Sequence, residues 1–176
     1  MKKTSTKMLV EAGIMIALAQ ILSYVKIFES PYGGSITLGS MLPIIIFAIR
    51  WGSKPGILVG LVYGFLQFAL GTKFSYHPLG IFLDYIFAFG ALGLAGLFRK
   101  NISTILVSIF IAMAGRFTFH FLSGVILWYI YAPEGMNIYL YSLIYNGGYM
   151  LPEFIISAVL VCALYKPLKR YLVQMS

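Results

Sequence analysis

The chain has 176 residues, of which 60% are hydrophobic and only 10% charged, with a mean hydropathy of +0.90. A soluble domain carries about 25% charged residues, so a water-covered globule is excluded and an integral membrane protein is expected. Thirteen Lys and Arg against five Asp and Glu leave a charge of +8, which fits basic residues gathered at one membrane face better than nucleic-acid binding.

A bilayer span takes about 20 mostly apolar residues, and six segments qualify. They run from Met8 to Val25, Leu38 to Ile49, Ile57 to Leu70, Leu79 to Phe98, Ile102 to Ile130 and Ile138 to Tyr165. The fold class expected is therefore all-α, one domain over residues 1–176, with six transmembrane helices. The second and third segments are short, and Pro43, Gly52, Pro55, Gly56 and Gly71 suggest helices that bend or stop early. The N-terminal MKKTSTK precedes the first segment as a signal peptide would. Glu11 interrupts the apolar core and no small-residue cleavage site follows, so the segment is read as a mature span.

Charge sets the expected orientation. With the N-terminus in the cytoplasm, Lys2, Lys3, Lys7, Arg50, Lys54, Arg99, Lys100, Lys166, Lys169 and Arg170 lie inside, and only Lys26 and Lys73 outside. That bias follows the positive-inside rule and returns the C-terminus to the cytoplasm. The outer loops then carry PYGG, KFSYHP and APEG, and the basic YKPLKRYL at the inner end faces anionic lipid, with Pro167 closing the apolar run.

Four ionisable groups fall within spans: Glu11, Asp84, Arg116 and Glu153. Such groups are costly in a bilayer and mark function by default. Glu11 is close enough to the inner interface to be solvated. Asp84, inside LGIFLDYIFAFG, needs a cation, and Arg116 is the candidate for a supporting ion pair, with Glu153 a second candidate partner for that arginine. On RFTFHFLSGVILWYIY, residues Arg116, His120 and Trp128 fall near one helical face, with small Ser123 and Gly124 between them. On YLYSLIYNGGYM, Tyr141, Tyr145 and Asn146 precede a Gly147 and Gly148 pair. Rings, hydrogen-bonding groups and one acid together suit a flat, cationic heteroaromatic.

Other chemistry is poorly supported. There is no GxxxxGKS/T loop for ATP, no HExxH or cysteine cluster for a metal, and no cofactor motif. Cys162, the single cysteine, reads as a packing residue. His120 and Ser123, three apart on one helix, leave an intramembrane enzyme as the rival from another class; a self-associating structural protein is a third reading. In the first span, Gly13 and Ala17 form a small-residue surface on which another helix can approach closely.

The stretches FLDYIFAFGALGLAGLFRK, HFLSGVILWYIYAPEG and YSLIYNGGYMLPE resemble the thiamine-specific S-component family (ThiT or YuaJ) of energy-coupling factor transporters. The resemblance implies a six-helix subunit that binds thiamine near the outer face and docks on a membrane coupling protein with two cytoplasmic ATPases. It also implies a subunit that is not an enzyme. Carried over by position, the substrate residues are Asp84, Tyr85, His120, Trp128, Tyr141 and Asn146, and the docking face is that of Gly13 and Ala17. Two departures stand out: the family can have Glu at the position of Asp84, and a Trp in the first outer loop where this chain has Gly34, so Tyr32 or Phe74 is expected to take over that lid contact. An S-component for another vitamin is the rival within transport.

Overall fold

The computed structural model describes residues 6–74 and 76–173. Lys2 and Lys3 of the expected inner face lie outside these, as does Ser75 of the second outer loop, and the side chain of Arg170 is likewise not described.

Helix α1 (Thr6–Ser23) is apolar nearly all round and buries only Ala19 and Gln20. A helix that leaves Leu9, Val10, Ile14, Leu18 and Ile21 exposed suits lipid or a partner helix rather than water. The first outer loop then departs from the all-α expectation. Strand β1 (Lys26–Glu29) pairs antiparallel with β2 (Ser35–Thr37). The turn between them closes through Ser30 N–H to the Gly34 carbonyl, 2.9 Å, and Gly33 N–H to the Ser30 carbonyl, 3.2 Å. Both glycines have positive φ, 105° and 89°, a conformation that side chains resist.

Helix α2 (Leu42–Trp51) has 10 residues, with Pro43 in its first turn and Pro43 through Arg50 all buried. At 1.5 Å per residue it is about 15 Å long, half a bilayer core, so the second expected span is a short internal helix. Gly52, with φ 97°, turns the chain directly into α3 (Ser53–Leu70). Pro55 sits in the first turn of α3, where a missing N–H costs nothing. The helix therefore starts four residues before the expected Ile57 and reaches full membrane length.

Helix α4 (Pro78–Gly96) is irregular: residues Ile81–Phe87 form a π-helical turn and Leu92–Gly96 a 3-10 ending. Its backbone lies directly on α3. A Cβ added at Gly60 or Gly64 would strike the Phe89 or Tyr85 carbonyl, so these glycines let two backbones approach as small residues do in bilayers. Helix α5 (Ile102–Ile126) opens on a capping box in which Asn101 and Thr104 exchange side-chain and backbone hydrogen bonds. It ends at Ile126 rather than Ile130, and a 3-10 turn (Trp128–Tyr131) follows. Helix α6 (Ile138–Val173) is 36 residues long and continues through Pro152 and Pro167. The apolar run stops just before Pro167 as expected, yet the helix itself continues, since the freed carbonyl of a proline in such helices is readily satisfied by neighbours.

Five helices are long and apolar enough to cross a membrane, and α2 is a shorter apolar helix among them. The core gathers around α2, with Ile44, Ile45, Phe47 and Ile49 fully enclosed together with Tyr63, Leu92, Ile105 and Ile109. At one end of the bundle, Glu11 is partly buried and held by protein donors: it accepts from Arg50 Nε (2.7 Å), Trp51 Nε1 (2.8 Å) and the Tyr171 hydroxyl (3.0 Å). The Arg50 guanidinium also lies 3.7 Å over the Tyr171 ring and donates through Nη1 to the Tyr171 carbonyl. This clasp binds α1, α2 and α6 together, and the hairpin β1–β2 occupies the opposite end.

Candidate functional site

Asp84 sits on the π-helical turn of α4, a kind of bulge that often marks a functional position. Its carboxylate is a hub. Oδ1 accepts from His120 Nδ1 at 3.1 Å, and Oδ2 accepts from the Ser123 hydroxyl at 2.6 Å and from Trp128 Nε1 at 3.1 Å. His120 and Ser123 share one face of α5, and the change to a 3-10 turn after Ile126 swings Trp128 back over the same carboxylate. Three donors orient one acid, and hydrogen bonds to an ionised group are among the stronger ones.

The supporting ion pair expected for Arg116 is not formed. Among the described residues the ion pairs are Lys26–Glu29, Arg50–Glu11 and His120–Asp84. Arg116 instead holds its guanidinium 3.9 Å over the Phe89 ring. It lies one turn before His120 on α5, and Asp84 is satisfied by His120, Ser123 and Trp128 instead. The same geometry weakens the enzyme alternative. Ser123 donates its proton to Asp84 and not to His120, so the pair lacks the nucleophile-to-base hydrogen bond that such catalysis needs.

Asp84 opens onto a cavity of about 390 Å³, within the size range of small-molecule sites. Tyr85, His120, Trp128, Tyr141 and Asn146 line it with Asp84, and so do Arg116, Tyr32, Gly34 and Phe74. Beyond the Asp84 hub, Tyr85 and Asn146 are also held by protein partners. The Tyr85 hydroxyl donates to the Thr72 carbonyl at 3.1 Å. Asn146 donates to the Ser142 carbonyl at 3.0 Å and to the His120 carbonyl of α5 at 3.3 Å, and accepts from the Tyr149 hydroxyl at 2.7 Å, so its amide braces α6 beside α5.

The mouth is a row of rings. Tyr32 stacks on Tyr131 with centroids 4.1 Å apart, and Tyr131 stacks on Trp128 at 5.8 Å. Helix α6 holds the hairpin turn over them: the Tyr145 hydroxyl accepts from Tyr32 N–H at 3.0 Å and donates to the Gly33 carbonyl at 2.9 Å. A Cβ added at Gly34 would overlap the Tyr149 ring, whereas one at Gly33 would sit 3.2 Å from Phe74. Tyr149 thus fills the space next to Gly34, and a larger residue there requires that ring to move.

Tyr145 was grouped with Tyr141 and Asn146 from the sequence, but Tyr149 and the bond from Thr37 to Glu153 were not expected as parts of this site. A signal for them does exist: Tyr141, Tyr145, Tyr149 and Glu153 recur every four residues and share one face of α6. Gly13 and Ala17 lie outside the cavity, exposed on the outward face of α1, and a Cβ added at Gly13 meets nothing within 4 Å. No group of three or more His, Cys, Asp or Glu suited to a metal occurs among the described residues.

The fold and cavity define a multi-pass helical membrane protein with an internal site of small-molecule size. The chain belongs to the thiamine transporter protein family (Thia_YuaJ), whose model matches residues 9–173, a family of transporters and not of enzymes. It is 37% identical to the thiamine transporter ThiT of Bacillus subtilis (strain 168), over 93% of each chain. It is also 31% identical to the thiamine transporter ThiT of Lacticaseibacillus paracasei, over 87% of this chain and 84% of that one. Among solved structures, ThiT from Listeria monocytogenes superposes with a TM-score of 0.84 at 27% identity, covering 94% of this chain and 96% of that one. The S component of a bacterial ECF transporter shares the fold, with a TM-score of 0.66 at 22% identity over 97% and 99% of the two chains.

Proposed function

We propose that this protein is the thiamine-binding S-component of an energy-coupling factor transporter, that the cavity at Asp84 is its thiamine site, and that the outward face of α1 docks on a membrane coupling protein served by two cytoplasmic ATPases. The observation that carries the site is the oriented Asp84 carboxylate beneath the rings of Trp128, Tyr131 and Tyr32. A thiazolium cation gains from the carboxylate and from ring faces at once. The orientation that goes with this reading puts both termini in the cytoplasm, α2 completing a sixth, partial crossing, and the hairpin end outside.

Titration of the purified protein with thiamine, followed by tryptophan fluorescence, tests the reading directly. The chain has only two tryptophans, and Trp128 should respond. Absence of saturable binding would sink it, and binding of a different vitamin instead would favour the rival S-component. Trp128→Ala should weaken thiamine binding by about 1 to 3 kcal/mol through lost ring contact. An unchanged affinity would make Trp128 only an interfacial anchor.

A further inference from the structure

Membrane proteins mark the bilayer interface with Trp and Tyr near their helix ends, and the hairpin end of this bundle carries such a girdle. Tyr24 follows α1 directly, Tyr76 lies just before α4, Tyr129 just beyond α5, and Tyr139 in the first turn of α6. All four are exposed. Four of the membrane-length helices thus end on a tyrosine at the hairpin end, which puts the headgroup layer there.

Strand β1 begins right after Tyr24 and Val25, so it lies at that layer, and its polar and apolar residues part. Lys26 and Glu29 line the cavity mouth and pair with each other at 2.5 Å. Ile27 and Phe28 take no part in the lining and are 62% and 52% exposed. Regular alternation would send Ile27 and Phe28 to opposite faces, and Lys26 and Glu29 likewise. The register slips between Lys26 and Phe28, and a bulge of this kind re-aims side chains. It therefore lets a strand of four residues turn a polar pair to the cavity and an apolar pair away from it.

An exposed apolar patch rimmed by polar residues marks a contact surface. Ile21, in the last turn of α1, and Val25, just past its end, are exposed as well, so the patch continues the surface of a helix that crosses the bilayer. The backbone limits its depth. Among the described residues β1 pairs only with β2, which leaves one strand edge open, and open edges are too costly for the hydrocarbon core. Headgroups and their water can satisfy that edge.

We propose that β1 is an interfacial anchor, in which Ile27 and Phe28 insert among the lipid headgroups at the hairpin end of the bundle while Lys26 and Glu29 face the cavity mouth. The two strands are then held by different means: β2 by the protein, through the Thr37 hydroxyl on Glu153 at 2.8 Å, and β1 by lipid. The anchor needs only the membrane fold and does not depend on which ligand fills the cavity.

The test places a nitroxide label at Ile27→Cys and, separately, at Phe28→Cys, in a chain whose one native cysteine is removed by Cys162→Ser. Each labelled protein is reconstituted alone in phosphatidylcholine vesicles. Ile21→Cys is the lipid reference, and Glu134→Cys, exposed in the loop before α6, is the water reference. Oxygen concentrates in lipid and a neutral nickel chelate in water, so the ratio of their collision rates with the label reads depth. At both positions of β1 this ratio should exceed that at Glu134 at least threefold and stay below that at Ile21. A ratio equal to that at Glu134 would place the strand in water and overturn the proposal. Loss of collisions with both reagents would mean that protein covers the strand, a second copy where the labels also broaden each other's spectra, and overturns it too. Phe28→Trp, read by quenching from lipids brominated on their acyl chains, serves where a labelled chain fails to fold. The emission added by that tryptophan should fall at least twofold in the brominated vesicles, and emission that stays unchanged overturns the anchor.

Discussion

Asp84→Asn should weaken thiamine binding at least tenfold, which is about 1.4 kcal/mol, and should weaken an analogue with a neutral five-membered ring by less. The substitution nearly keeps the shape of the side chain and removes its charge. It also replaces one acceptor oxygen by an amide that only donates, so His120, Ser123 and Trp128, which now share the two carboxylate oxygens at 2.6 to 3.1 Å, must compete for one. Part of the loss is thus a disordered Trp128, and that part falls on both ligands alike. The difference between the cation and its neutral analogue isolates the charge. Equal losses for the two would mean that the aspartate serves only to brace the 3-10 turn after α5.

The outer hub illustrates what a sequence can and cannot disclose. Hydropathy marked the helices because each is apolar over most of its length, and the acid, histidine, tryptophan and tyrosines stood out because such groups are unusual within apolar runs. Pairing was a different matter. Asp84 and Arg116 are opposite charges in one bundle, but a carboxylate takes the donors within reach, and the π-helical turn of α4 aims it at His120 and Ser123, a turn outward from Arg116. Nothing in LGIFLDYIFAFG announces a π turn. The hairpin of four- and three-residue strands was too short to show an alternating pattern, although PYGG did mark its turn. The partners of Glu11 were missed because sequence distance hides that α2 and the end of α6 bring Arg50, Trp51 and Tyr171 to it. The helix α6 outlasts its apolar run, through Pro167 to Val173, which hydropathy alone does not report.

Replacing Gly13 and Ala17 with Leu should abolish thiamine uptake while leaving thiamine affinity within a few-fold of the parent. Both residues are exposed on α1, and the space beside Gly13 is open, so the longer side chains are expected to project away from this subunit. They would instead hold a partner helix away, since close approach between helices in a membrane depends on small residues. The clasp around Glu11 lies on the other side of α1 and fixes that helix to α2 and α6 with the small face outward. Along α1 the cavity begins only at Ser23, about 15 Å from Gly13 at 1.5 Å per residue, which is why binding should survive. Two measurements on one variant decide the matter: radiolabelled thiamine uptake in cells and equilibrium titration of the purified subunit. Uptake that persists removes this face as the docking site. Affinity that falls as far as uptake does would mean that the new leucines disturb the bundle itself, and that α1 carries its small residues for internal packing.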